Sequence, residues 1–164
     1  FKKYNMLNYA NWSGATFEND LALVSKSSLV ISYASGFANM PDLMNIPNIY
    51  LGSWHIPLPL YSSNTIFLPS LFNKKNGQEL KFFNQINMYL DTNHKFDINK
   101  FNELDCIVPN SDDILDATMF ALNKNNKKYS DLEIKFKNLV ENIPLKKSKC
   151  RIPNNFLLKN INRF

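Results

Sequence analysis

The stretch that decides the fold runs from Leu29 to Gly52. It opens with Leu29-Val30-Ile31-Ser32-Tyr33, a β-rich apolar run with the length of a buried strand. Ala34-Ser35-Gly36 punctuates it. Phe37-Ala38-Asn39-Met40-Pro41-Asp42-Leu43-Met44 then reads as a short helix whose proline fits a first turn. Asn45-Ile46-Pro47 ends that helix, and Asn48-Ile49-Tyr50-Leu51-Gly52 is a second strand. Strand, helix and strand make a βαβ unit, which predicts a parallel sheet with right-handed crossovers.

Upstream, the first fifteen residues are rich in aromatics and asparagine and carry no sustained period. Thr16 is an N-cap for a helix with Phe17, Leu21 and Val24 on one face. Glu18 and Asp20 stand in its first turn, where the helix dipole favours acids. Downstream, residues 53–64 hold Trp54, His55 and two prolines and read as a loop. Thr65–Pro69 is a third strand, Lys74-Lys75-Asn76-Gly77 a turn, and residues 78–90 a helix through Leu80, Phe83, Ile86 and Leu90. Asp105–Pro109 is a further short strand. Ser111 caps a helix with Ile114, Leu115, Met119 and Leu122 on its apolar face. Ser130 and Glu133 form a capping box for a helix running to about Asn142, and Pro144 stops it. Phe156, Leu157, Leu158 and Ile161 make a last short helix. The expected class is therefore α/β, a Rossmann-like parallel sheet flanked by helices over residues 1–143. A basic C-terminal tail or helix follows over 144–164.

Composition narrows the class. Of the 164 residues, 45% are hydrophobic and 13% aromatic, which is ample material for a core. With 20% charged residues and two cysteines, disordered, collagenous and disulfide-scaffold classes are excluded. No apolar run reaches the roughly 18 residues that span a bilayer. The sequence begins at Phe1 without a signal-peptide pattern and reads as a piece of something larger. The net charge of +5 is uneven, −3 over residues 1–120 and +8 over 121–164. The basic character thus belongs to the C-terminal quarter and does not argue for nucleic acid. Cys106 and Cys150 stand apart from any CxxC or nearby histidine. They suit a reducing compartment, and neither reads as a metal ligand or nucleophile.

Ser35 and Gly36 lie where a strand ends and a helix begins, the place where open parallel sheets bind ligands. A glycine there admits a close backbone approach, a serine supplies a hydroxyl, and the first amides of the helix point outward. Ser35, Gly36 and Phe37 are therefore a candidate site for a phosphate or diphosphate. Neither a GxGxxG fingerprint nor a P-loop accompanies them. Trp54 and His55, after the second strand, are candidates for contacts to a base or sugar, and Asp20 for contacts to hydroxyls. His94 has no partner visible in the sequence. Asp112, Asp113 and Asp116 lack the spacing of a calcium loop, and no metal is expected.

The order of elements also resembles a bacterial glycosyltransferase family of the two-lobed GT-B fold. The resemblance rests on Asn8-Tyr9-Ala10, on Asp20-Leu21-Ala22-Leu23, and on Leu29-Val30-Ile31 leading to Ser35-Gly36. It continues through Asn45-Ile46-Pro47-Asn48-Ile49, Phe67-Leu68-Pro69, Gly77 and Leu80-Lys81-Phe82. It spans about residues 7–122, and order and spacing carry it rather than any single motif. Asn8 replaces an aspartate of the family, and Ser70 stands where a lysine often follows the proline, a departure that bears on donor handling. The resemblance implies the C-terminal, donor-binding half of a cytoplasmic glycosyltransferase. Its substrate would be a nucleotide-sugar, and its acceptor a glycan or lipid-linked molecule. The N-terminal acceptor lobe is missing from this sequence, no catalytic residue is assigned, and no cofactor is implied. Helix-terminal amides would stabilise the diphosphate leaving group without a metal. The basic tail would contact the inner surface of a membrane. Two alternatives stand beside this: a nucleotide-sugar epimerase on the same scaffold, and a non-enzymatic module that docks on a membrane through its basic tail.

Overall fold

A computed structural model describes residues 6, 8–33, 35–52, 63–91, 102–123, 128–139 and 149–164. The three apolar runs pair side by side as parallel strands, β1 (Val30–Tyr33), β2 (Asn48–Leu51) and β3 (Thr65–Leu68), in that spatial order. Val30, Asn48 and Thr65 stand level across the sheet. The chain is thus a mixed α/β protein with a parallel sheet flanked by helices. Arg151 lengthens the sheet beyond β3: its amide donates to Thr65 O (2.8 Å) and its carbonyl accepts from Phe67 N (2.7 Å).

A second sheet departs from the expected all-parallel pattern. β4 (Leu71–Lys74) leaves β3 after Pro69-Ser70 and pairs antiparallel with β5 (Leu104–Ile107). The strand expected over 105–109 is therefore present but belongs to a separate two-stranded ribbon. The turn at Lys74–Gly77 forms as expected, with Gly77 at φ +82° and its amide donating to Lys74 O (2.8 Å).

Helix α1 (Phe17–Lys26) is capped as expected, Asn19 N donating to Thr16 Oγ1 (3.3 Å). The helix expected over 37–44 is split into a 3-10 turn (Gly36–Asn39) and a single α-turn, α2 (Met40–Leu43), with Pro41 in its first turn. Helix α3 (Phe82–Asp91) begins later than expected and buries Phe82 and Gln85, leaving Phe83 exposed.

Helix α4 (Ser111–Leu122) corrects the sequence reading twice. Its cap is Asn110 rather than Ser111: Asp113 N donates to Asn110 Oδ1 and Asn110 N donates to Asp113 Oδ2, both at 3.0 Å. Its inward face is Asp113 and Ala117 with Ile114, Phe120 and Ala121 packed on the core; Ile114 was expected there, whereas Leu115 and Met119 are 59% and 64% exposed. Lys159 pairs with the first of these, its Nζ donating to Asp113 Oδ1 at 2.8 Å.

The Ser130–Glu133 capping box opens α5 (Asp131–Leu139) as expected, Ser130 N donating to Glu133 Oε2 (2.9 Å) and Glu133 N to Ser130 Oγ (3.2 Å). The expected end of that helix and Pro144 lie outside the described residues. The last helix, α6 (Asn154–Lys159), runs into a 3-10 turn at Ile161–Arg163.

The core gathers Ile49, Phe67 and Leu68 of the sheet with Ala117, Ile152 and Leu157. Phe82, Phe136 and Phe164 close it as a mutually tilted trio with centroids 4.9–5.6 Å apart. Among the described residues no helix is long and apolar enough to cross a membrane.

Candidate site at the carboxyl rim of the sheet

The candidate site is the rim where β1, β2 and β3 end. Ser35 follows β1 in extended conformation (φ −155°, ψ 164°) and precedes the 3-10 turn that Gly36 opens. Its carbonyl accepts from Ala38 N (3.2 Å), and its side chain makes no capping bond to the turn. Ser35 is exposed, and Phe37 is 36% exposed. The first amides of a helical turn have no carbonyl one turn back to bond, and the residues on either side of Gly36 are exposed.

Beneath that loop the scaffold is polar and fixed. Asn48 is fully buried at the start of β2; it accepts from Ser32 Oγ (2.9 Å) and its amide donates to Ala38 O (3.1 Å). Thr65 Oγ1 donates to Asp42 Oδ1. Burial pushes the Asp42 carboxyl pKa up, and the Thr65 hydrogen bond partly offsets this. The 3-10 turn and α2 are therefore tied to the first residues of β2 and β3.

At the exit of β2 the chain turns through Gly52, at φ +67°. A Cβ on this residue would lie 2.1 Å from the Tyr33 ring, so only glycine fits. The Gly52 carbonyl accepts from Tyr33 Oη (3.1 Å) and from the buried Ser70 Oγ (2.7 Å), and its amide donates to Leu68 O (2.9 Å). Gln85 Nε2 in turn donates to Ser70 O (2.8 Å). Ser70, the departure at the proline turn, is thus a buried donor to the rim. This network was not foreseen from the sequence; a glycine closing an apolar strand was its one visible sign.

Asp20 stands in the first turn of α1, beside Tyr9. Burial first, and then the Asp20 carboxylate, push the Tyr9 phenol pKa up. Tyr9 packs on Trp12 (5.4 Å between centroids), which folds over Gly14. Helix α1 runs back along the unit, so its N-terminus reaches the rim: Phe17 meets Phe37 edge-to-face, centroids 6.3 Å apart. The structure therefore brings the start of α1 to Ser35-Gly36-Phe37. Trp54 and His55 lie outside the described residues. Among the described residues no group of three His, Cys, Asp or Glu side chains is placed to hold a metal ion. A separate open groove of about 570 Å³, lined by Asp116, Met119, Phe120, Asn123 and Asn154, lies between α4 and the start of α6.

No protein family, curated protein or solved structure matches the chain.

Proposed function

We propose that this chain is the donor-binding half of a GT-B-type glycosyltransferase and holds a nucleotide-sugar through its diphosphate. The observation that carries the reading is the rim itself: parallel strands end beside an exposed Ser35, where a 3-10 turn opens at Gly36. Open parallel sheets bind ligands at such strand ends, and helix-terminal amides suit an anion. In sugar transfer the leaving diphosphate gains negative charge as the glycosidic bond breaks. Backbone donors already fixed in place would stabilise that charge without reorganising. The Asn48–Ala38 and Thr65–Asp42 hydrogen bonds support this role by holding the turn in position.

On this reading the acceptor, a glycan or lipid-linked molecule, is bound by a second lobe, and the chain works in the cytoplasm at a membrane surface. Isothermal titration of the chain with nucleoside diphosphates tests the reading. Binding is expected for the native chain, and Ser35→Asp, which puts a like charge at the phosphate position, is expected to abolish it. Unchanged binding by Ser35→Asp, with the fold intact by circular dichroism, overturns the assignment.

A further inference from the structure

We propose that the groove between α4 and the start of α6 is a binding site for a neutral sugar, separate from the strand-end rim. The proposal stands on the groove alone and does not rest on the diphosphate reading. Its volume, about 570 Å³, lies in the range of small-molecule sites. Asp116, Met119 and Phe120 line it from α4, and Pro153, Asn154 and Asn155 from the other side.

The polar groups are fixed by bonds made at their other ends. Ser130 Oγ donates to Asn154 Oδ1, which leaves the Asn154 Nδ2 hydrogens without a partner among the described residues. Asn155 Nδ2 donates to Asp116 Oδ2 (3.1 Å), and Asn155 Oδ1 and Asp116 Oδ1 are likewise unpartnered among the described residues. The groove thus offers one donor group and two acceptors, each already held in place. A hydroxyl donates and accepts at a single oxygen, so neighbouring sugar hydroxyls serve both kinds of partner. Met119, Phe120 and Pro153 supply apolar surface for the C–H face of a sugar ring. Met119 is 64% exposed, apolar area that a bound ring takes out of water.

Charge selects among ligands. Residues 121–164 carry a net +8, yet among the described residues no lysine or arginine lines the groove. Its one charged group is the Asp116 carboxylate. A phosphate or carboxylate placed there would meet a like charge with no counter-ion, which leaves a neutral polyol as the favoured ligand.

Calorimetric titration of the native chain with a glucose trimer, an N-acetylglucosamine trimer, inorganic phosphate and a terminally blocked alanine trimer tests the proposal. Saturable binding of at least one sugar trimer is expected, with none for phosphate. Asp116→Ala should weaken the sugar about tenfold, as loss of a hydrogen bond to a charged group implies. Asn155→Ala should weaken it about threefold. Both side chains are exposed, so both variants should keep the native circular dichroism. Binding of neither sugar trimer overturns the proposal, as does undiminished sugar binding in both variants. Binding of the alanine trimer as tight as that of the sugars marks a peptide groove and overturns it too.

Discussion

The rim at Ser35–Phe37 and the C-terminal segment 149–164 are built on opposite plans. The rim leaves Phe17, Tyr33 and Ser35 open to solvent and fixes its backbone from below through hydrogen bonds without an ion pair. The C-terminal segment buries charge. Arg151 lies in the interior with Nε 2.7 Å from Glu133 Oε1 and Nη2 2.8 Å from Glu133 Oε2, between the rings of Phe120 and Tyr129. Arg163 donates to Phe72 O (3.1 Å), Asn73 Oδ1 (2.8 Å) and Glu79 Oε1 (3.1 Å), pinning the chain end to β4. The difference teaches where each part of the molecule can change. A buried, paired charge tolerates no loss of its partner, whereas an exposed loop on a rigid base tolerates new side chains.

The largest effect is expected at the buried pair. Glu133→Gln leaves Arg151 in the core without its counter-charge and should cost about 3–5 kcal/mol, read by urea unfolding. Burial alone would raise the Glu133 carboxyl, but the Arg151 hydrogen bonds and the Ser130 and Ile152 amides hold it below its ordinary value. The unfolded chain then binds more protons than the native one. This contribution is present above the ordinary glutamate value of about 4.3 and is lost as pH falls through the lowered native value. The native protein should therefore lose stability in that acid range with a steeper slope than Glu133→Gln. Parallel slopes would break the contrast between the two regions.

A smaller effect sharpens the account of the rim. Gly52→Ala forces a Cβ into the Tyr33 ring at a left-handed backbone position and should cost about 1–3 kcal/mol. Thermal unfolding of Gly52→Ala and of the double variant Gly52→Ala/Tyr33→Ala separates the clash from the backbone strain. Partial recovery in the double variant is expected. The smallest effect belongs to the exposed Lys75–Asp105 pair (3.2 Å), where both side chains are more than half in water. Lys75→Ala should change stability by less than about 1 kcal/mol in the same assay.

These contrasts also separate what was legible in the sequence from what was not. The βαβ unit was legible because its strands are unbroken apolar runs and its ends carry Ser-Gly and Pro, which are local signals. Thr16 and the Ser130–Glu133 box were legible for the same reason. β4 was not, since its ladder is made with Leu104–Ile107, far along the chain, beside a short local bridge from Asn73 to Glu79. The inward face of α4 was partly hidden too, because it packs through the small Ala117 and a paired Asp113 while the larger Leu115 and Met119 face out. Arg151 and Arg163 counted as charges of a basic tail, yet both are buried against glutamates from elsewhere in the chain. Their apolar neighbours Cys150, Ile152 and Phe164 were the only local hint. Of the candidate site, the Ser35-Gly36 turn was legible from strand-end chemistry, whereas the Phe17–Phe37 contact depends on the return path of α1.

The most direct test of the account is a nucleoside diphosphate titration of the isotopically labelled chain, followed through backbone amide shifts. Saturable shifts centred on Gly36, Phe37 and Ala38 are the predicted result. Shifts confined to the groove of Asp116, Asn123 and Asn154, or no saturable shift anywhere, would contradict it.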